Sequence, residues 1–173
     1  MARAWDVHGL RQNARFRDAA GRVILTRWRE MMSYRDGTLL GEDIEELHAM
    51  RVSSRRLRAA MDAFAAAFPE RSFKRHLRSV KEITDTLGAA RDLDVAVEGL
   101  TALVPTLSER QQVGVLALID EYGRRRVVES GHIAELFDRL ERDCYPRRFE
   151  RWVARHTGID VVRLDPRPPS EDG

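Results

Sequence analysis

Between Leu47 and Met61 the chain carries His48, Arg51, Arg55, Arg56 and Arg58 and not one carboxylate. On an α-helix, at about 100° per residue, His48, Arg51, Arg55 and Arg58 fall on one flank. Beside that flank, Leu47, Met50, Leu57, Met61, Phe64 and Phe68 form an apolar seam at three- and four-residue spacing. Arginine presents a planar fork of donors that keeps its charge and grips phosphate or carboxylate oxygens in pairs. Like charges one turn apart repel by roughly 0.2–0.5 kcal/mol, so a solvated helix face normally mixes signs. A face that gathers guanidinium groups without acids calls for a polyanion to neutralise them.

Two further stripes share the same angular offset from their apolar faces. Arg11, Arg15, Arg22 and Arg29 line one, interrupted by Asp18; Lys74, Arg78 and Lys81 line the other, closed by Asp85. The rotation has the same sense in each helix. Antiparallel neighbours with equal offsets turn their charged flanks into a shared groove or away from it, so one adjacent pair can form a basic cleft. The competing reading is structural: arginine forms helices well, packs its stem on apolar surface and pairs with acids on neighbouring helices.

Other chemistries have weaker support. His48, His76, Asp92 and Asp94 could ligate a metal, yet no pair stands at HxxxH or CxxC spacing and arginines crowd the region. No nucleophile motif or GxxxxGK[ST] phosphate loop occurs, so no catalytic residue, cofactor or metal is expected. Nucleic acid would satisfy the same arginines, but helix-turn-helix, RNP-like and zinc patterns are absent, so no specific nucleic-acid partner is expected. A helical adaptor without a ligand is the remaining alternative. Asp92 and Asp94 read as acids that hold arginines in place, and Trp5, Trp28 and Trp152 as core or interface anchors.

The elements that must position these residues are helical throughout. Period-2 alternation is missing. The periodicity predicts a first helix from about Asp6 to Tyr34 with Leu10, Ala14, Gly21, Ile24, Trp28 and Met31 inward, ended by Arg35-Asp36-Gly37 as a turn. A second starts near Glu42 or Asp43 and stops at Pro69. A third runs from about Ser72 to Val104 with Phe73, Leu77, Val80, Thr84 and Leu87 inward. A fourth runs from Ser108 to roughly Ser130, with Val115, Leu118, Ile119 and Tyr122 inward. Shorter pieces come near 133–142 and 147–156. The expected fold is all-α, an antiparallel four-helix bundle with a short C-terminal helical extension. Residues 1–156 form the domain and 157–173 a Pro-rich, disordered tail.

The 173 residues, 43% hydrophobic and 34% charged, suit one soluble domain with a real core. Net charge is only +2, so basic character is a matter of placement. A single cysteine, Cys144, no signal-peptide pattern and no long apolar run make the chain read as cytoplasmic, with no membrane partner.

The segment HAMRVSSRRLR, together with LGAARDLDV from Leu87 to Val95, resembles the CHAD family of histidine-containing α-helical domains. That family pairs an H-x-x-R-V-x-x-R-R-L-R segment with an L-G-x-x-R-D-x-D-V segment about thirty residues later, and both match here. A weaker similarity covers most of the remaining chain. The resemblance implies binding of inorganic polyphosphate on a basic surface, in some members at intracellular storage granules. Carried onto this chain, it points to His48, Arg51, Arg55, Arg56 and Arg58, then Arg91, Asp92 and Asp94, with Lys74, Arg78 and Lys81 on the helix between. Arg11, Arg15, Arg22, Arg124 and Arg125 match only as basic positions on flanking helices. Full members resemble two bundles in tandem, whereas this chain shows one set of motifs and resembles half of such a domain. Either one bundle works with a shallower site, or a homodimer restores the second half, with Phe149, Trp152 and Val153 as candidate contacts.

Overall fold

A computed structural model describes residues 3–162 and 164. Among them all regular structure is helical: α1 (Phe16–Ser33), α2 (Arg35–Leu40), α3 (Ile44–Ala63), α4 (Glu70–Leu103), α5 (Glu109–Arg142) and α6 (Tyr145–Thr157). Short 3-10 turns follow α3 and α4. The tail from Asp165 to Gly173 lies outside the described residues.

Local chemistry explains most of the boundaries. Asp43 caps α3 by accepting a hydrogen bond from the Glu45 N–H (2.8 Å), and Glu45 and Glu46 face the positive end of the helix. Pro69 precedes α4. The Ser108 N–H donates to Gln111 Oε1 (3.1 Å) at the start of α5. Cys144 adopts φ 49°, which turns α5 into α6 within two residues.

Helix-to-helix pairs set the topology. Arg56 of α3 meets Glu30 of α1 while Phe64 meets Phe16, and Arg126 and Arg139 of α5 meet Asp94 and Glu82 of α4. In each case one partner advances as the other retreats, so neighbours are antiparallel. Helices α1, α3, α4 and α5 follow one another side by side, and α6 packs against α1 and α5. The core is built on Ile24, Trp28, Met31, Met50, Leu57, Met61, Val80, Ile83, Leu87 and Phe137. An aromatic cluster joins α6 to it, with Phe149 4.4 Å from Trp28, and Trp152 4.3 Å from both Phe68 and His76.

Several boundaries differ from the periodicity reading. Residues 6–15 are not helical: Gly9 takes φ 73°, and Leu10 is exposed. Arg35-Asp36-Gly37 opens the short helix α2 instead of a turn. Helix α5 is continuous across Ser130-Gly131, where nothing crowds the glycine. Its predicted inward residues Val115, Ile119 and Tyr122 are only half-buried, and Leu118 is exposed. Phe149, Trp152 and Val153 are buried within their own chain and are not free to contact a second one.

The two ends of the bundle are finished differently. Arg29 donates to Glu150 Oε1 (3.0 Å) and to the carbonyls of Val161 (2.9 Å) and Leu164 (2.6 Å), fastening the stretch after α6, where Ile159 and Leu164 are buried. At the other end, α4 and α5 have 34 residues each, about 50 Å, against about 27 Å for the 18-residue α1. No residue of α4 after Ala90, and none of α5 before Ile133, is fully buried. The two helices overhang the bundle as a two-helix arm.

Candidate anion-binding groove

Helix α3 lies between α1 and α4, so its two polar flanks meet different neighbours. The flank of His48, Arg51, Arg55 and Arg58 faces α4. The contact that fixes the register is Arg51 over Gly88: a Cβ at Gly88 would lie 3.6 Å from Arg51 Nε. That is ordinary van der Waals distance, so Arg51 lies closely across α4 at Gly88, and its Nη2 comes within 3.6 Å of Asp92 Oδ1. Antiparallel helices rise equally, so one turn further places Arg55 level with Asp85, and the next places Arg58 level with Lys81. The two motifs thus meet across one groove.

Charge in this groove is only partly balanced. Arg51 shares Asp92, which is largely exposed, and Lys74 pairs with Glu70 at its own helix start. Arg78 reaches only the Lys74 carbonyl (3.4 Å). Arg55, Arg58 and Lys81 form no ion pair among the described residues. The buried His48 Nδ1 and Arg51 Nε atoms have no hydrogen-bond partner. Exposed pairs such as Lys74–Glu70 are screened by solvent and yield readily to a phosphate.

The remaining predicted residues lie elsewhere. Arg56 turns to the α1 side of α3 and donates to Glu30 Oε1 (2.8 Å). Glu30 is fully buried and also accepts from Arg27 and, at 3.4 Å, from Ser53. Arg11 and Arg15 precede α1, and Arg22 pairs with Asp18 (3.2 Å), so the first stripe does not extend the groove. Arg124 pairs with Asp120 and Glu121 on α5, and Arg125 lies over the Tyr122 ring at 5.8 Å. Both sit on the arm, beyond α4.

Arg91 is half-buried, with Nη1 enclosed and unpartnered. Asp94 accepts from Arg126 Nε (2.7 Å), which ties the arm together. Arg126 escaped the sequence reading, although it falls on the α4-facing side of α5 one turn after Tyr122. His76 is buried and stacked on Trp152. It lies about 24 Å along α4 from Asp92 by helical rise, so the four candidate metal ligands do not converge. No group of three or more potential ligands gathers among the described residues.

A helical bundle with a cationic groove where two motif-bearing helices meet defines the class: an all-helical domain with a basic furrow between neighbouring helices. The family model described as CHAD domain matches residues 22–170, nearly the whole chain. The chain belongs to the CHAD family, which links it to helical domains associated with polyphosphate binding and generally non-catalytic. No curated protein and no solved structure gave a significant match. No helix among the described residues is long and apolar enough to cross a membrane.

Proposed function

We propose that the protein binds inorganic polyphosphate, without catalysis, in the groove between α3 and α4. The observation that carries this reading is a contrast within one chain. Arg22, Arg27, Arg29, Arg35, Arg56, Arg124, Arg126 and Arg139 each have a carboxylate partner, whereas Arg55, Arg58 and Lys81 line one groove without any. Cations spaced about one helical turn apart match a flexible chain of closely spaced negative charges. Duplex DNA is too stiff and wide to follow a furrow between two helices. A protein with this groove would gather at polyphosphate-containing storage granules in the cytoplasm. Titration with long-chain polyphosphate, single-stranded RNA and duplex DNA across a salt series tests the reading. Affinity for polyphosphate should be highest and fall steeply with salt as counterions are released. Equal or tighter binding of DNA at the same salt refutes it.

The arm supports a second, separate reading, pairing of two copies. Val113, Leu116, Val127 and Val128 are exposed, Val113 at 70% and Val127 at 72%. They lie on the side of α5 opposite its α4-facing residues. The same outer side carries the Arg124–Asp120 pair, so these exposed groups form a mixed patch of the kind a second copy can cover. Two such arms, related by a two-fold axis, would form a four-helix bundle of their own. In this reading the dimer contact belongs to the arm. Light scattering should show a dimer that Val113→Asp with Val127→Asp converts to a monomer. A wild-type monomer at all concentrations, with and without polyphosphate, excludes the pairing.

A further inference from the structure

A second cluster of unpaired cations lies on the opposite shoulder of α4. Helix α6 carries Arg148, Arg151 and Arg155 at spacings of three and four residues, so all three project from one face, and all three are exposed. Together with Arg75 of α4 and with His156, they surround a pocket of about 210 Å³ whose floor is Trp152 and His76. None of the four arginines forms an ion pair among the described residues; Arg148 reaches only the Asp143 carbonyl, at 3.4 Å. The acids of α6 do not answer them, since its one glutamate, Glu150, faces α1 and holds Arg29. His76 registers the resulting field: burial first, then Arg148, Arg75 and His156, press its pKa down to about 4.

The floor is rigid. Trp152 is stacked between Phe68 and His76, its Nε1–H donates to Ser72 Oγ (3.2 Å), and His76 Nδ1 lies 3.3 Å from the Tyr145 hydroxyl. Four like charges around a fixed aromatic floor repel one another with no folding gain to offset them, and a compact multivalent anion removes that repulsion. On α4, Arg71 and Arg78 lie on the exposed crest between Arg75 on this shoulder and Lys74 and Lys81 on the groove side. The two basic regions are thus continuous around the N-terminal half of α4.

We propose that the α4–α6 pocket is a second anion site, built on Arg75, Arg148, Arg151 and Arg155, which takes a short condensed phosphate or the end of a long one. This rests on the polyphosphate reading for the long chain only; the short-chain site stands by itself. A long polyphosphate crosses the crest of α4 and occupies groove and pocket together, whereas tripolyphosphate occupies the pocket alone.

The test titrates tripolyphosphate, orthophosphate and long-chain polyphosphate into the full chain, followed by calorimetry and tryptophan fluorescence. Replacing Arg148, Arg151 and Arg155 together by Ala should weaken tripolyphosphate binding by at least about tenfold, with helical circular dichroism intact. Arg55→Ala with Arg58→Ala should leave tripolyphosphate binding within about twofold while weakening the long chain. If the triple variant does not fold, the exposed single reversal Arg151→Glu carries the same expectation. A folded α6 variant that binds tripolyphosphate as wild type does, or wild type that prefers orthophosphate, overturns the site. Tripolyphosphate bound through α6, with long-chain binding that is unaffected by Arg55→Ala with Arg58→Ala, would instead sink the groove reading and leave this one standing.

Discussion

Replacing Arg55 and Arg58 together by Ala separates a binding face from a structural one. Arg55 is exposed, Arg58 is half-buried, and neither has an acid partner to lose. Removing them relieves the repulsion of Arg51, Arg55 and Arg58 at spacings of three and four, worth roughly 0.2–0.5 kcal/mol per pair. The lost packing of the Arg58 stem offsets that gain, so folding stability should change by no more than about 0.5 kcal/mol. Binding should respond very differently. Two charge-assisted contacts at about 1.5–3 kcal/mol each, discounted by about half for an open groove, amount to roughly 1.5–3 kcal/mol. That corresponds to a loss of about 10- to 150-fold in affinity for long-chain polyphosphate. The salt slope should fall by about 1.5, since each lost phosphate contact releases fewer counterions. Calorimetric titration at three salt concentrations, beside denaturant unfolding of the same samples, measures both. A folded variant with affinity within about threefold and an unchanged slope would place the energy elsewhere.

Two other perturbations address the scaffold. Glu30→Ala removes the buried carboxylate that accepts from Arg27 and Arg56 and should cost about 3–5 kcal/mol, read as a fall in the unfolding midpoint; a loss under about 1 kcal/mol contradicts the buried network. His76 has a folded pKa of about 4 against 6.5, so between those values the unfolded chain binds a proton that the folded chain refuses. Its stabilising contribution is complete above pH 6.5 and is lost as pH falls, by about 2 kcal/mol at pH 5 and about 3 below pH 4. Unfolding curves across this range should show that slope, and His76→Phe should flatten it.

The sequence was most readable where a single helix carries its own explanation. Period and sign alone place His48, Arg51, Arg55 and Arg58 on one flank of α3, and the same geometry turns Arg56 away from them. The destination of Arg56 was not readable, because Glu30 on α1 looks like any exposed helix acid until the packing shows it buried between two arginines. Amphipathicity likewise reports that a face is covered without saying by what. Phe149, Trp152 and Val153 suggested a contact between chains, yet they complete the core of their own. That assignment also hid Arg148, Arg151 and Arg155, whose three- and four-residue spacing repeats the signal that drew attention to α3. Breaks were misread for a related reason. Gly9, with φ 73°, lies in a stretch that is not helical, while Gly131 sits inside α5 at no steric cost, and neither neighbourhood distinguishes the two from sequence alone. What separates Arg55 and Arg58 from Arg56 is the absence or presence of a carboxylate partner on the next helix. That depends on rotation and register between helices, and the Arg51–Gly88 crossing supplies both.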